Sequence, residues 1–464
     1  MSLPVPSAPV PLFSRWTSPA AFVLAAIGAG MGLGNIWRFP YVTGYHGGGA
    51  FVVVYILACF GIVMPVLVAE LMIGRRGGGN PMHSIAALAR ETGANPAWRY
   101  FGAVGMIATF LVFAYTSVFA SWALPYMLKA ASGSFNHVTP QAVRATYDAL
   151  LGDPLALMGW HGVFLTLIAV LVAQGLREGL ERAFLVLIPS FLVVLVGLVI
   201  YAGMNGAFMT TVHFILQPQF AGMGAGAVLT AIGSAFLTVT VGLGIMMTFG
   251  AYLDRDVNLT RAAVVIVAAD VVVSLLAAFA MFPIVFAYQL NPAEGPGLVF
   301  VTMTTAFAAM PGGAVVGTLF FLFLMLAALT SAIAALQPLV RWAMERHGWQ
   351  RSEAGLGFVA AAWLVGIGID FSFNIGKDFH PLAMVPGLKT ETFSQLIDRA
   401  TSDLLIPVAG VSLLIFSGWR LTAAVVQDEL SPISPLWLGV WRFTVRWLAP
   451  ATLLVIGALV MFRK

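Results

Sequence analysis

Apolar runs of about twenty residues follow one another along the chain from Ala20 to Phe462, each ended by a short polar or Gly/Pro-rich break. A bilayer core needs roughly 20 consecutive apolar residues per helix, so each run has the length of a membrane span. Dividing the runs at their breaks predicts eleven helices, near 18–41, 48–74, 98–131, 160–177, 182–204, 223–252, 259–290, 312–346, 354–371, 393–420 and 433–462. The expected fold class is therefore an all-α integral membrane protein of eleven transmembrane helices. The length leaves no room for a separate soluble domain.

Two of the runs do not read as continuous helices. The first contains GAGMGLGN, with glycines at 28, 30, 32 and 34, and the sixth contains TVGLG, with glycines at 242 and 244. No helical face repeats every second residue, so an unwound stretch is predicted in each. Unwound backbone at membrane depth is tolerated only where it lines a cavity or is buried in protein. The G-L-G at 32–34 recurs at 242–244, five helices later, as expected for two inverted five-helix halves, 18–204 and 223–420. Residues 1–17 then form an amino-terminal tail, and 433–464 the eleventh helix with the carboxyl end.

Composition agrees with this picture. Hydrophobic residues make up 60% of the 464 positions and charged residues 9%, with a mean hydropathy of +0.94, whereas soluble domains carry charge on about a quarter of their positions. The amino end has prolines and a single arginine instead of the basic start and cleavage site of a secretory signal. With that end inside, 15 of the 23 basic residues fall on cytoplasmic ends and short loops, the bias expected of this orientation. An odd number of spans puts the carboxyl end outside. Cys59 is the single cysteine, so no internal disulfide is possible.

Polar residues at membrane depth point to function by default, an aspartate there costing about 2.5–3.5 kcal/mol on insertion scales. Asn35, Glu70 and Asp270 are of this kind. In the segment 312–346, Ala327, Thr330 and Ser331 stand at i, i+3 and i+4, so one carbonyl and two hydroxyls share a face. Hard cations take such oxygens, although Thr and Ser hydroxyls also bond back to their own helix. A membrane-embedded enzyme is disfavoured, because the seven histidines have no metal-ligand spacing and GAGMGLGN does not fit GxGxxG. An ion channel would need rings of like residues around a pore.

The stretch GMGLGNIWRFPY, followed by GGGAF and PVLVAELMIGRRGG, and further on AFLTVTVGLG, AADVVVSLLAAFAMFP and AALTSAIAALQP, resembles the neurotransmitter:sodium symporter family over nearly the whole chain. That family includes bacterial amino-acid transporters. The resemblance implies inverted five-helix repeats, alternating access in a bacterial inner membrane, and uptake of an amino acid with two sodium ions bound near the bilayer midplane. No nucleic-acid partner is expected.

By this resemblance the first sodium site takes Asn35, Thr238, Asp270 and the Gly30 carbonyl, and the second takes Gly28, Met31, Ala327, Thr330 and Ser331. The substrate carboxylate would meet the N–H groups of Leu33 and Gly34, where a helix start favours anions. Its amino group would meet Gly30, Leu237, Thr238 and Thr240. Gly32, where monoamine-transporting relatives carry aspartate, implies a substrate that brings its own carboxylate. Val112, Leu237, Leu243, Ser331 and Ala335 would line an apolar side-chain pocket, tilting the expectation towards a hydrophobic amino acid. The family's tyrosine against the substrate carboxylate aligns with Thr116, with Tyr115 just before it. Arg38 resembles an outer gate that pairs with Asp398 or Asp403, and Arg15 with Trp16 an inner gate that closes on Glu345. Tyr55, Thr238 and Ser274 match the chloride ligands of chloride-dependent members, but Asp270 stands where those carry asparagine, implying chloride independence. Glu70 is expected as a hydrogen-bonded structural acid near the first unwound segment, with a proton relay as the alternative.

Overall fold

The computed structural model describes residues 16–174, 176–292, 297–385 and 387–462. Several of its helices start where the sequence places a short polar side chain ahead of proline: Ser18-Pro19, Asn80-Pro81, Asn95-Pro96, Thr139-Pro140, Asp153-Pro154 and Ser434-Pro435. In each, the side-chain oxygen accepts from a free first-turn N–H, and proline's missing donor is one the helix does not need.

The chain opens with α1 (Pro19–Gly30) and α2 (Gly34–Tyr45), two halves bent by 53° at the break between them. Then come α3 (Gly49–Gly77), the surface helix α4 (Pro81–Glu91), α5 (Pro96–Ala131), the short α6 (Pro140–Gly152), α7 (Pro154–Ala173), α8 (Gly179–Asn205) and α9 (Phe208–Leu216). A second broken pair follows, α10 (Ala225–Thr238) and α11 (Ile245–Gly250). The remainder is α12 (Leu259–Ala287), α13 (Leu298–Ala309), α14 (Gly313–His347), α15 (Arg351–Phe371), α16 (Phe393–Arg420), α17 (Ala423–Leu430) and α18 (Pro435–Leu459).

Among the described residues nine helices are long and apolar enough to cross a membrane, or ten with the bent α1–α2 pair. The expected sixth span, 223–252, is represented by α10 and α11, each too short alone, and six residues separate them. The seventh run is helical to Ala287, and the fourth begins at Pro154 and ends at Ala173. Five short helices between spans, α4, α6, α9, α13 and α17, fall in segments read only as breaks.

The central helix α14 is largely enclosed, while α8 leaves much of its length facing outward. The outward positions of α8, Val186, Val193, Val196 and Ile200 among them, remain apolar. Such a face suits lipid tails, and the interior is packed by small and aromatic side chains, as expected where helices approach closely.

Candidate functional site

The first break is shorter than the glycine pattern implies. Helix α1 runs to Gly30, and only Met31–Leu33 separates it from α2. Each glycine has its own reason. A Cβ on Gly28 would strike Phe184 and Ile188 of α8, one on Gly30 would lie 3.3 Å from the Thr238 carbonyl, and one on Gly32 would stand 3.1 Å from Ser331 Oγ. Gly34 opens α2 within van der Waals distance of Thr238. The second break, 239–244, needs left-handed backbone at Thr240 (φ 56°), Gly242 (φ 88°) and Gly244 (φ 76°). For a β-branched residue such as Thr240 this conformation is costly, and such outliers persist at functional sites.

A polar cluster is buried where the two breaks meet. The Asn35 amide donates to Asp270 Oδ1 at 2.7 Å and to Ser274 Oγ at 2.9 Å. The opposite carboxylate oxygen, Oδ2, accepts from Tyr55 Oη and Thr238 Oγ1, both at 2.9 Å. Tyr55 Oη also lies 2.9 Å from Thr238 Oγ1 and 3.1 Å from Ser274 Oγ. Asn35 Oδ1 is buried and has no hydrogen-bond partner among the described residues. Buried polar oxygens are normally satisfied, so an orphan beside the carboxylate, where Gly30 lies against both Asp270 and the Thr238 carbonyl, is a donor set that suits a small hard cation.

A second group of oxygens lies where α14 passes the first break. Thr330 Oγ1 stands 3.4 Å from the Met31 carbonyl and 2.8 Å from that of Ala327, and Ser331 Oγ lies 3.3 Å from the Ala328 carbonyl. Both hydroxyls bond back to their own helix, which leaves oxygen lone pairs for the break. Between the two groups α2 begins: the Asn35 and Ile36 N–H groups donate to the Gly32 carbonyl at 3.2 and 3.4 Å, and those of Leu33 and Gly34 lie ahead of the first intrahelical bond.

A cavity of about 370 Å³ reaches this helix start. Six of the expected substrate residues line it: Leu33, Gly34, Val112, Tyr115, Thr116 and Leu237, together with Phe119 and Phe373. Leu243 and Ala335 are instead buried, 3% and 6% exposed, and the Thr240 hydroxyl bonds to the Val239 carbonyl at 2.7 Å. Thr116 Oγ1 donates to the Val112 carbonyl at 2.7 Å. Tyr115, packed on Phe119 at 4.7 Å between ring centres, and Tyr41 are the phenols in the wall of this cavity.

The same cavity holds Arg38 and Asp398 in its wall. Asp403 lies 3.7 Å from Arg399 of its own helix and does not line this cavity. At the opposite end Trp16 is buried, its indole donating to the Phe249 carbonyl at 3.2 Å, which fastens the approach to α1 onto α11. Arg15 lies outside the described residues. Glu345 accepts from Arg341 at 2.7 Å and from the Asn80 backbone at 3.1 Å.

One expectation is corrected. The carboxylate of Glu70 accepts from the Gly242 N–H at 2.6 Å; it braces the second break, not the first. A free N–H in a left-handed turn needs a buried acceptor, and α3 supplies one. Asn80 and Arg341, which hold Glu345, were missed; the Asn80-Pro81 cap was the available signal for the former.

The family model described as Sodium:neurotransmitter symporter family matches residues 14–143 and 154–397. YhdH, a sodium-dependent transporter of Bacillus subtilis, is 31% identical over 446 residues, covering 95% of this chain and 96% of its own. A sodium- and chloride-dependent GABA transporter of Drosophila melanogaster is 23% identical, covering 73% of this chain and 41% of its own. The crystal structure of MhsT in complex with L-phenylalanine superposes with a TM-score of 0.86 at 32% identity, covering 96% of this chain and 99% of that one.

Proposed function

The chain belongs to the sodium:neurotransmitter symporter family and is a sodium-coupled membrane transporter, not an enzyme; from that premise we propose that it carries a hydrophobic amino acid into the cell without chloride. The observation that carries this reading is the Asn35–Asp270–Tyr55–Thr238–Ser274 cluster set against the free helix start at Leu33 and Gly34. The N–H groups of that start suit a carboxylate. Glycine at position 32 leaves the substrate to supply it. The apolar wall of Val112, Phe119, Leu237 and Phe373 suits an aliphatic or aromatic side chain, and MhsT, the structural neighbour, holds L-phenylalanine.

Sodium is a transported ion in this reading, with two sites. Asn35, Thr238, Asp270 and the Gly30 carbonyl hold one, and Gly28, Met31, Ala327, Thr330 and Ser331 the other. Asp270 provides, as a fixed carboxylate, the negative charge that a bound chloride would otherwise bring to the first site. The halves 18–204 and 223–420 act as inverted repeats that open the cavity to one side at a time, in an inner membrane with the amino end inside and the carboxyl end outside. Arg38 with Asp398 closes the outer mouth; Trp16, Arg341 and Glu345 close the inner one. A thermal-shift screen of the purified protein against the twenty amino acids tests this, because a ligand that binds only the folded state raises its melting temperature. Stabilisation by hydrophobic amino acids that requires sodium and survives replacement of chloride by gluconate is expected. Stabilisation only with chloride, or by no amino acid, would refute it.

A further inference from the structure

Away from the cavity, three helices bring buried polar groups together at a place the transport reading does not use. His161 of α7 is fully buried, with Nε2 2.9 Å from Ser117 Oγ of α5 and Nδ1 3.8 Å from Asp370 Oδ2 of α15. Asp370 is also fully buried. Among the described residues, neither of its carboxylate oxygens nor His161 Nδ1 has a hydrogen-bond partner. The place is built for the imidazole, since a Cβ on Gly366 of α15 would collide with the ring.

Counting protons shows what is missing. The Ser117 hydroxyl has one hydrogen and lies 2.9 Å from the Ala114 carbonyl, the bond a helical serine makes to its own backbone. With that hydrogen spent, Ser117 accepts from His161, and Nε2 carries the imidazole proton. A neutral imidazole then turns its Nδ1 lone pair towards a carboxylate 3.8 Å away. Reversing the Ser117 bond puts the proton on Nδ1, but 3.8 Å is too long for a hydrogen bond, and a full negative charge is still buried without compensation. Burial penalises a bare carboxylate heavily. One added proton, on Asp370 or on His161, removes the problem in both arrangements.

Among the described residues other charges do not supply the balance. On α5 Tyr115 lines the cavity, Tyr126 packs on Phe135, and Lys129 is exposed. On α6 Arg144 pairs with Asp148, and Tyr147 stacks on Phe300. Asp153 caps α7, Arg399 of α16 pairs with Glu391, and Asp398 lines the cavity. Arg99, Tyr100, Arg341, Glu345, Arg346, His347, Arg351 and Glu353 occupy the Trp16 end of α5, α14 and α15, whereas Asp370 lies at the last turn of α15, near its other end.

We propose that His161 and Asp370 form a proton-binding site, holding one proton between them, and that this proton fixes the stretch of α5 that carries Tyr115 and Thr116 into the cavity wall. Binding takes up one proton from water and release returns it; no other group is transferred. The site is independent of which substrate is carried. Its consequence follows from linkage: at and above neutral pH an unfolded chain would hold its aspartate charged and its histidine largely neutral, so the folded protein binds one proton more. Stability conferred by the pair is then lost as pH rises, by up to about tenfold in the folding equilibrium per pH unit.

The full-length protein in detergent, without substrate, is melted at pH values from about 6 to about 9, alongside Asp370→Asn and His161→Gln. The expected result is a melting temperature that falls with pH in the unsubstituted protein and a much flatter curve for Asp370→Asn, whose amide has no charge to uncover. His161→Gln should displace the fall, since the carboxylate then holds the proton alone. Sodium-dependent L-phenylalanine binding over the same range should weaken with pH only while Asp370 is present. Parallel curves for all three proteins overturn the proposal, as does a melting temperature of the unsubstituted protein that rises with pH. Because the melting arm needs neither sodium nor amino acid, its failure is distinguishable from a failure of the transport reading.

Discussion

The Asp270 carboxylate stands 2.7 Å from the amide nitrogen of Asn35, although 235 positions separate the two. Asn35 lies in α2, directly after the first break, and Asp270 in α12, beyond α11; Thr238, the last residue before the second break, donates to the same carboxylate, so the cluster joins both interrupted segments. Tyr55, Thr238 and Ser274 surround it, and an ionised Asp270 would make the oxygen set negative without a bound anion. Asp270→Asn keeps the shape and removes the charge. Uptake by this variant should be lost without chloride, and any activity it retains should require chloride, whereas the unsubstituted protein should transport equally in gluconate. Normal transport by Asp270→Asn in the absence of chloride would show that the carboxylate has another role.

Thr330 and Ser331 can be tested together. Their replacement by alanine removes two oxygens from the group around the Met31 and Ala327 carbonyls. A hydrogen-bonding or ligating oxygen to a charged partner contributes about 1.5 kcal/mol at the low end, so the sodium concentration for half-maximal binding should rise about a hundredfold. An unaltered sodium titration would remove this site from the mechanism.

Gly32 faces Ser331 across the first break, with 3.1 Å from a Cβ position to Ser331 Oγ. An aspartate there projects a fixed carboxylate towards the place assigned to the substrate's own, and like charges repel strongly where the dielectric constant is low. Binding of amino acids to Gly32→Asp should fall below detection in a radioligand assay while the protein stays folded. Wild-type affinity would mean that the substrate lies in another orientation.

Gly74 of α3 lies against the Met247 carbonyl of α11, which a Cβ would strike. The obstacle is backbone, so no side chain can swing away, and Gly74→Ala must part the two helices. Overpacking of this kind costs about 1–3 kcal/mol. A lowered melting temperature with weakened substrate binding is expected, because α11 continues directly from the second break. A variant as stable as the parent would show that the helices yield more easily than their packing implies.

The helical class was legible from run length alone, because a bilayer forces every backbone polar group into an internal hydrogen bond and so makes a span visible as an unbroken apolar segment. Positions 393–420 were read as one run and form one helix with those bounds. The short helices between spans were not visible, since each is too short to read as a span, and a cap such as Asn80-Pro81 marks only some of them. The alternation of glycines at 28, 30, 32 and 34 overstated the first break, because a glycine needed for packing on Phe184 and Ile188 looks the same in sequence as one needed for unwinding.

What the sequence determined by itself is that Asn35, Glu70 and Asp270 sit at membrane depth, where an uncompensated polar group is too costly to be incidental. Which partners compensate them was decided only by the tertiary structure. Glu70 meets Gly242 across 172 positions, Asp398 and not Asp403 shares a cavity with Arg38, and His161, one of seven scattered histidines, faces Asp370. Helical periodicity determines the face on which a side chain lies, but the identity of the opposing helix depends on how the whole chain packs, and that information is spread over contacts hundreds of residues apart.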